Sequence, residues 1–276
     1  MANIPKRVVD RVAANLKTFQ NVLAAQKSRD VSEADTVTLV KDVAAAIFGY
    51  DKYAELTSEH AIRGTYCDLA VKIDGKISFL IEVKAIGLDL KDGHVKQAID
   101  YAANQGVEWV VLTNAIEWRL YHVLFKKPID KHQVACFNLM ECNAKNEAHL
   151  ECIYLLTREG FTKSAMVEYR DKKDATSRYM LAAILLKSEA VQSAIRREIR
   201  RVSDISVGED VIDKMLREEV IKRETIEGEH ADTAMRRVAR IAAARKSASN
   251  TPAPVVSDIS TKVDSAAMSS SDSVPA

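Results

Sequence analysis

The chain has 276 residues, and its 40 lysines and arginines nearly balance its 39 aspartates and glutamates, which leaves a formal net charge of +1. With 47% hydrophobic and 29% charged residues, the composition is that of a globular protein and excludes a uniformly basic nucleic-acid coat. No apolar run is long enough for a membrane span or a signal peptide, so a cytoplasmic protein is expected. The four cysteines form no CxxC pair, and no GxxxxGK[ST] motif is present. A structural zinc site and ATP binding are therefore not expected.

Two amphipathic helices are predicted at the start of the chain. Apolar side chains at helical spacing over residues 5–26 predict the first, which we set apart as an N-terminal helix over 1–30. Ser32 can cap the second helix, with Asp35 three residues further on, and Gly49 stands where this helix would end. The apolar stripe of the second helix comprises Val37, Val40, Ala44 and Ile47.

A β-hairpin is predicted next, because two apolar segments with alternating polar residues flank Asp74-Gly75, a favoured two-residue turn. Its strands are predicted at 67–73 and 76–84. A helix over 91–105 is expected to end at Gly106. Further strands are predicted at 108–113, 116–123 and near 134–139.

The rest of the chain is predicted to be helical up to a polar tail. The domain organisation is then an α/β (α+β) domain over 31–145 and a helical C-terminal region over 146–246. Residues 247–276 are rich in Ser, Ala, Asp and Pro and are predicted to be disordered.

The predicted hairpin carries two acids and a lysine: Asp68 on its first strand, and Glu82 and Lys84 on its second. Glu82 and Lys84 are two residues apart and so share one face of their strand. A two-residue turn would place Asp68 opposite Ile81, on the core-packed face, so Asp68 joins Glu82 only if the hairpin has an odd loop or a bulge, such as a G1 bulge at Gly75.

Two neighbouring carboxylates repel each other unless a cation lies between them, and oxygen ligands suit Mg²⁺ or Mn²⁺. A metal ion there can activate water against a phosphodiester, with Lys84 orienting that water or stabilising charge on the phosphate. The alternative is a solvent-exposed stripe of alternating charge on an edge hairpin. Leu80 shares the face of Glu82, which indicates that this face is partly covered.

The pattern of Asp68 followed by Ile81-Glu82-Val83-Lys84 resembles the D…(D/E)xK core of the PD-(D/E)XK nuclease superfamily. Three further elements resemble the N-terminal nuclease domain of type I restriction enzyme R subunits. These elements are Gln97-Ala98-Ile99-Asp100-Tyr101, similar to a QxxxY motif; 112–121, similar to a TN…W.LY strand pair; and Glu33-Ala34-Asp35-Thr36 followed by Gly49-Tyr50-Asp51, similar to an opening helix.

The resemblance implies a restriction-endonuclease-like mixed β-sheet core flanked by helices, and metal-dependent cleavage of DNA. It makes Asp68 and Glu82 metal ligands, with the carbonyl of Val83 as a further candidate, and it makes Lys84 the catalytic lysine. The resemblance also implies that Glu33, an acid on a helix, binds metal. The alternative is that Glu33 is an ordinary first-turn acid favoured by the helix dipole. Gln97 and Tyr101 are implied to position substrate, and the alternative for them is a polar–aromatic pair on a surface helix.

The chain lacks the helicase motor that follows this domain in R subunits, so a complete translocating subunit is not expected. DNA is the expected partner, together with a second copy of the chain or separate restriction-type subunits. The alternative is a catalytically weak or inactive DNA-binding or adaptor protein of the same fold that acts with a separate partner.

Arginine clusters in the helical region predict either a phosphate-binding surface or an ion-paired, solvated face. They comprise Arg196, Arg197, Arg200 and Arg201, and then Arg236, Arg237, Arg240 and Arg245.

Overall fold

Helices and a mixed β-sheet share the chain in the computed structural model, which describes residues 4–62 and 65–249. The predicted tail lies outside the described residues from residue 250 onward. The strands are β1 (Leu56–Ile62), β2 (Thr65–Ile73), β3 (Lys76–Val83), β4 (Trp109–Thr113), β5 (Glu117–Leu124) and β6 (Asp130–Asn138). The helices are α1 (Lys6–Ser28), α2 (Glu33–Ala46), α3 (Lys96–Gln105), α4 (Glu147–Leu155), α5 (Arg158–Thr162), α6 (Ala165–Ala175), α7 (Arg178–Lys187), α8 (Glu189–Ser203), α9 (Glu209–Met215), α10 (Arg223–Ile226) and α11 (Glu229–Ser249).

The six strands of the described ranges form one sheet in sequential order, and every neighbouring pair is antiparallel except β3 and β4. Helix α3 makes the crossover that a parallel pair requires. Because β3 and β4 run in the same direction, Val83 and Thr113 lie side by side where both strands end. The mixed sheet with flanking helices confirms the predicted α+β class, and β1 is a strand that the sequence pattern did not predict.

A bulge in the β2–β3 hairpin sets which residues face each other. Asp74 and Gly75 both have positive φ, 52° and 76°, so the turn has two residues and Ile73 pairs with Lys76. Further along, Lys72 pairs with Ile77 but Val71 pairs with Phe79, so Ser78 is an extra residue. This bulge, rather than a G1 bulge at Gly75, brings Asp68 to the same face of the sheet as Glu82, as the predicted site requires.

Each face of the sheet is covered by helices. On one face, α1, α2 and α4–α6 bury a core that includes Phe79, Ile81 and Val83. On the other face, α3 covers Leu80 and Leu112. The prediction that Leu69, Val71, Phe79, Ile81 and Val83 form the core-packed side of the hairpin is confirmed. Glu82 lies between two of these core residues in sequence and therefore points to the α3 side.

The chain divides into two compact units, Met1–Thr176 and Ser177–Ala276. The first unit extends beyond the predicted domain end at 145, because side chains of α4 and α6 such as Ile153 and Met166 belong to the core that packs on the sheet. It also contains the N-terminal helix, whose Val8 and Val12 are buried in that core. The second unit has two small apolar clusters built around α7. In neither unit does a helix of the described ranges have the length and hydrophobicity needed to cross a membrane.

Candidate active site

Four of the predicted site residues come together where β3 ends. The ammonium of Lys84 lies 2.9 Å from Oε1 of Glu82 and 3.5 Å from Oε2 of Glu33. The backbone N–H of Val83 donates a hydrogen bond of 2.7 Å to Oδ2 of Asp68. Glu82 is buried, with 6% of its surface exposed, and the side chain of Lys84 is 19% exposed. These side chains therefore form a polar cluster at the C-terminal end of β3, which we call the acidic cluster (Glu33, Asp68, Glu82 and Lys84).

The first turn of α2 brings Glu33 to this cluster. Ser32 caps the helix by accepting a hydrogen bond from the backbone N–H of Asp35, as predicted. The buried hydroxyl of Thr36 donates to the carbonyl of Ser32 at 2.8 Å and accepts from the N–H of Ile86 at 3.1 Å. The segment that follows β3 is therefore tied to the helix turn that carries Glu33. Thr36 was not singled out in the sequence, although a threonine on the apolar stripe of a helix indicates a buried hydroxyl that needs a partner.

The TN…W.LY element supports the same segment from the side of β4. The carbonyl of Thr113 accepts a hydrogen bond of 2.8 Å from the backbone N–H of Lys84. The side-chain amide of Asn114 donates to the carbonyl of Leu88 at 2.9 Å, while its oxygen accepts from the N–H of Glu117 at 2.8 Å. These bonds hold the loop after β3 against the β4–β5 turn, and they fix the backbone from which Lys84 projects.

The charges of the cluster shift one another's pKa values. Burial raises the pKa of Glu82, and the negative charges of Asp68 and Glu33 raise it further, against the opposing effect of the hydrogen bond with Lys84. Burial by itself would lower the pKa of Lys84, but the hydrogen bond to Glu82 and the three surrounding carboxylates raise it overall. Lys84 therefore stays an ammonium at neutral pH. With all four groups ionised, the acidic cluster carries a formal charge of −2.

Cys67 lies behind the two hairpin carboxylates. Its buried thiol donates to the carbonyls of Ile81 at 3.3 Å and Leu69 at 3.4 Å. Burial, together with the negative charge of Glu82, raises the pKa of Cys67 to about 12, so the thiol stays neutral. A neutral small group there adds no fourth negative charge to the cluster. From the sequence, Cys67 is expected to be a small hydrophobe, and its position directly before Asp68 is the signal that points to the site.

Gln97 and Tyr101 both lie on α3, the helix that covers the Glu82 side of the sheet. Gln97 is exposed, whereas Tyr101 is 1% exposed and belongs to the α3–sheet core together with Cys67 and Leu80. Burial and the neighbouring thiol of Cys67 raise the pKa of Tyr101. The ring of Tyr101 thus forms part of the wall behind the carboxylates, and Gln97 has the accessible side chain of the pair. Their predicted roles in positioning substrate stay predictions.

Carboxylate oxygens, the donor type that Mg²⁺ or Mn²⁺ takes from a protein, are present at the cluster. Mg²⁺ is held by one or two carboxylates and completes its octahedron with water and substrate phosphate. Glu82 and Asp68 supply two carboxylates, and the peptide of Val83 lies directly beside Asp68. Among side chains in the described ranges, no three His, Cys, Asp or Glu residues are grouped so as to hold one ion. Glu33 contacts Lys84, as Glu82 does, and its predicted role as a metal ligand stays a prediction.

No protein-family model and no curated protein matches the sequence, and no solved structure matches the fold. The resemblance to the nuclease superfamily therefore rests on the motif residues alone. What the structure adds independently is that these residues, dispersed over more than fifty positions of the chain, meet at one place.

Proposed function

We propose that this chain is a metal-dependent DNA endonuclease with a restriction-endonuclease-like fold, in which Asp68 and Glu82 hold Mg²⁺ or Mn²⁺ beside Lys84. One observation carries the proposal: the ammonium of Lys84 contacts the carboxylates of Glu33 and buried Glu82, and the N–H of Val83 fixes a third carboxylate, Asp68, in the same cluster. A stabilising ion pair needs only one acid for each base. The excess of negative charge in a half-buried place is the arrangement that a divalent cation neutralises.

The fixed geometry of the cluster supports the same conclusion. The hydrogen bond from Val83 orients Asp68, and the lysine orients Glu82 at 2.9 Å, so neither carboxylate is free to turn into solvent. Metal and catalytic sites need ligands that are held in place before substrate arrives. A solvated stripe on an edge hairpin has no such requirement, and the β2–β3 hairpin lies inside the sheet between β1 and β4.

Each residue then has a distinct part in hydrolysis, in which the oxygen of water bonds to phosphorus and its proton passes to solvent, while one ester oxygen leaves and takes up a proton from solvent. A bound divalent ion would polarise the phosphate and lower the pKa of the attacking water. Asp68 and Glu82 hold that ion. Lys84 remains protonated because of its raised pKa, so it stabilises negative charge building on the phosphate and does not act as the general base. Glu33 positions the ammonium of Lys84.

Plasmid cleavage by the purified chain in Mg²⁺ or Mn²⁺ tests the proposal. We expect the Asp68→Asn and Lys84→Gln variants to lose at least about 100-fold in rate, because the first removes a ligand charge from the metal ion and the second removes the cation beside the reacting phosphate. Asp42→Asn is the matched control, since Asp42 lies on the same helix as Glu33 but pairs with Lys52 at the surface. Cleavage that is equal in all four proteins would show that the assigned site is wrong.

The same preparation examines the alternative function. A wild-type chain that retards DNA in a gel without cutting it in either metal would identify a DNA-binding or adaptor protein. A role in restriction, with separate subunits or a second copy of the chain as partner, follows from the resemblance and is part of the proposal.

A further inference from the structure

The arginines of the second unit differ in their contacts. Five have an acidic partner: Arg178 pairs with Glu224, Arg196 with Glu209, Arg201 with Glu198, Arg217 with Asp213 and Arg223 with Glu227. Arg197 and Arg200 on α8 are exposed and have no ion pair among the described residues, but Glu198 lies between them in the sequence. Arg236, Arg237 and Arg240 on α11 are likewise exposed and without an ion pair within the described part of the chain, and no acid lies among them. We call these three residues the α11 arginine strip.

The sequence of α11 separates its charges by position. Its acids, Glu229 and Asp232, both lie in the first turn, and no acidic residue follows as far as the end of the helix at Ser249. Arg236 and Arg240 are four residues apart and so lie about 6 Å apart along one side of the helix, with Arg237 next to them. A solvated surface helix commonly alternates its charges into i,i+4 pairs, and this half of α11 does not.

The opposite side of α11 is already occupied. Ala234 and Val238 are buried in a small apolar cluster with Ala183 of α7. A helix that binds in a lipid interface needs a free apolar face to enter the acyl boundary, and α11 has used its apolar face within the unit. Ile241 of α11 is 45% exposed, but beside three exposed arginines it leaves positive charge as the main feature of this side, which suits a partner with dense surface phosphate.

We propose that the α11 arginine strip binds the phosphate backbone of double-stranded DNA, independently of base sequence. The inference rests on the proposed function for the choice of DNA as partner, and it names the surface that would hold the DNA. Duplex DNA presents one negative charge per about 1.7 Å of helix axis, so three adjacent arginines can each meet a phosphate. Arginine suits this contact because its guanidinium forms paired hydrogen bonds with phosphate oxygens.

The test is the salt dependence of DNA binding, measured with the full chain in EDTA by the fluorescence anisotropy of a labelled duplex. Three phosphate contacts contribute about −2.7 to the slope of log K against log salt. The triple variant Arg236→Gln, Arg237→Gln, Arg240→Gln should lose that part of the slope. From about 50 mM to about 200 mM salt, the affinity of the wild type should then fall about 40-fold more than that of the variant.

A second triple variant controls for net charge. Arg178→Gln, Arg217→Gln and Arg223→Gln remove the same total charge from the same unit, but from arginines that already have acidic partners. For this control, the slope of log K against log salt should differ from the wild-type slope by no more than about 0.9, the contribution of one phosphate contact. Equal losses in the two triple variants would show that overall charge, and not the α11 arginine strip, drives binding, and would overturn the inference.

Other outcomes separate this inference from the proposed function. Unchanged DNA binding by the α11 variant, in a protein that cuts DNA through Asp68, overturns the inference and leaves the nuclease in place. Binding that depends on α11, in a protein that never cuts, supports the inference and removes the nuclease. If the α11 variant loses binding to phosphatidylserine vesicles but not to DNA, the surface recognises a membrane and the inference is wrong.

Discussion

Replacing Lys84 by methionine should destabilise the first unit in a way that depends on pH. Methionine keeps the apolar stem of the lysine and removes its ammonium, so Glu82 is left buried near two other carboxylates without a cation. At an effective dielectric constant of about 20, two unit charges 2.9 Å apart attract each other by about 6 kcal/mol. Water at the partly exposed ammonium screens part of this attraction. Losing one partner of such a pair should therefore cost about 3 kcal/mol at pH 8, as is typical of a broken buried pair.

The sign of the pH effect follows from Glu82. Its pKa is already raised in the folded protein, and loss of Lys84 removes the hydrogen bond that opposes this rise. A carboxyl with a raised folded pKa contributes stability below its unfolded pKa of about 4.3, and that contribution is lost as the pH rises through the folded value. The unfolding free energy of Lys84→Met should therefore move toward that of the wild type as the pH falls from 8 to 5. Between the folded pKa of Glu82 in the wild type and its higher folded pKa in the variant, the shortfall should grow by up to about 1.4 kcal/mol per pH unit, and above the second value it should stay constant.

Tryptophan fluorescence during urea unfolding reports this directly. The two tryptophans of the chain, Trp109 and Trp118, are 4% and 1% exposed, and both lie in the first unit. The signal therefore follows the unit that holds the acidic cluster. The double variant Glu82→Gln, Lys84→Met should regain most of the lost stability at pH 8, because it leaves no buried unpaired charge. If Lys84→Met is as stable as the wild type at both pH values, or if the double variant is no better than the single, Glu82 does not depend on Lys84 as argued.

Three other results are expected of the same site. Mg²⁺ at about 100 times its Kd should stabilise the wild type by about 2.7 kcal/mol, and calorimetry should show that Asp68→Asn abolishes this gain. The cleavage rate at saturating DNA should fall as the pH drops through the raised pKa of Glu82, since the protonated acid cannot hold a metal; a profile that stays flat from pH 8 down to pH 4 would contradict this. Thr36→Val should cost about 1–3 kcal/mol in urea unfolding, because the N–H of Ile86 loses its partner, whereas Thr38→Val, on the exposed side of the same helix, should cost less than about 0.5 kcal/mol.

The elements that the sequence predicted well are those with short-range signals. The Ser32 cap, the Asp74-Gly75 turn and the stop at Gly106 each depend on residues within one turn of each other, and the structure confirms all three. The bulge at Ser78 and the strand β1 have no comparable local signal. Their formation depends on pairing with neighbouring strands, so only the assembled sheet determines them.

The candidate site was predictable only in part, because its geometry depends on contacts between segments that are distant in the sequence. Spacing placed Glu82 and Lys84 on one side of a strand, but it could not decide whether Asp68 joins them, because one extra residue reverses the side. The proximity of Glu33 depends on the bond between Thr36 and Ile86, which links segments 50 residues apart. No periodicity in a single sequence encodes that contact. Only the resemblance to a nuclease motif pointed to it.

The cost of placing Glu82 where it lies favours a chemical role for the acidic cluster. Glu82 shares its side of β3 with Leu80, and Leu112 is its partner on β4, and both leucines are fully buried under α3. An apolar side chain there would extend that core, whereas a carboxylate loses hydration and gains only one cation that it shares with Glu33. The packing of this face of the sheet therefore gives no structural reason for an acid. Binding of a positively charged ligand supplies one, because the ligand restores what burial of the carboxylate removes.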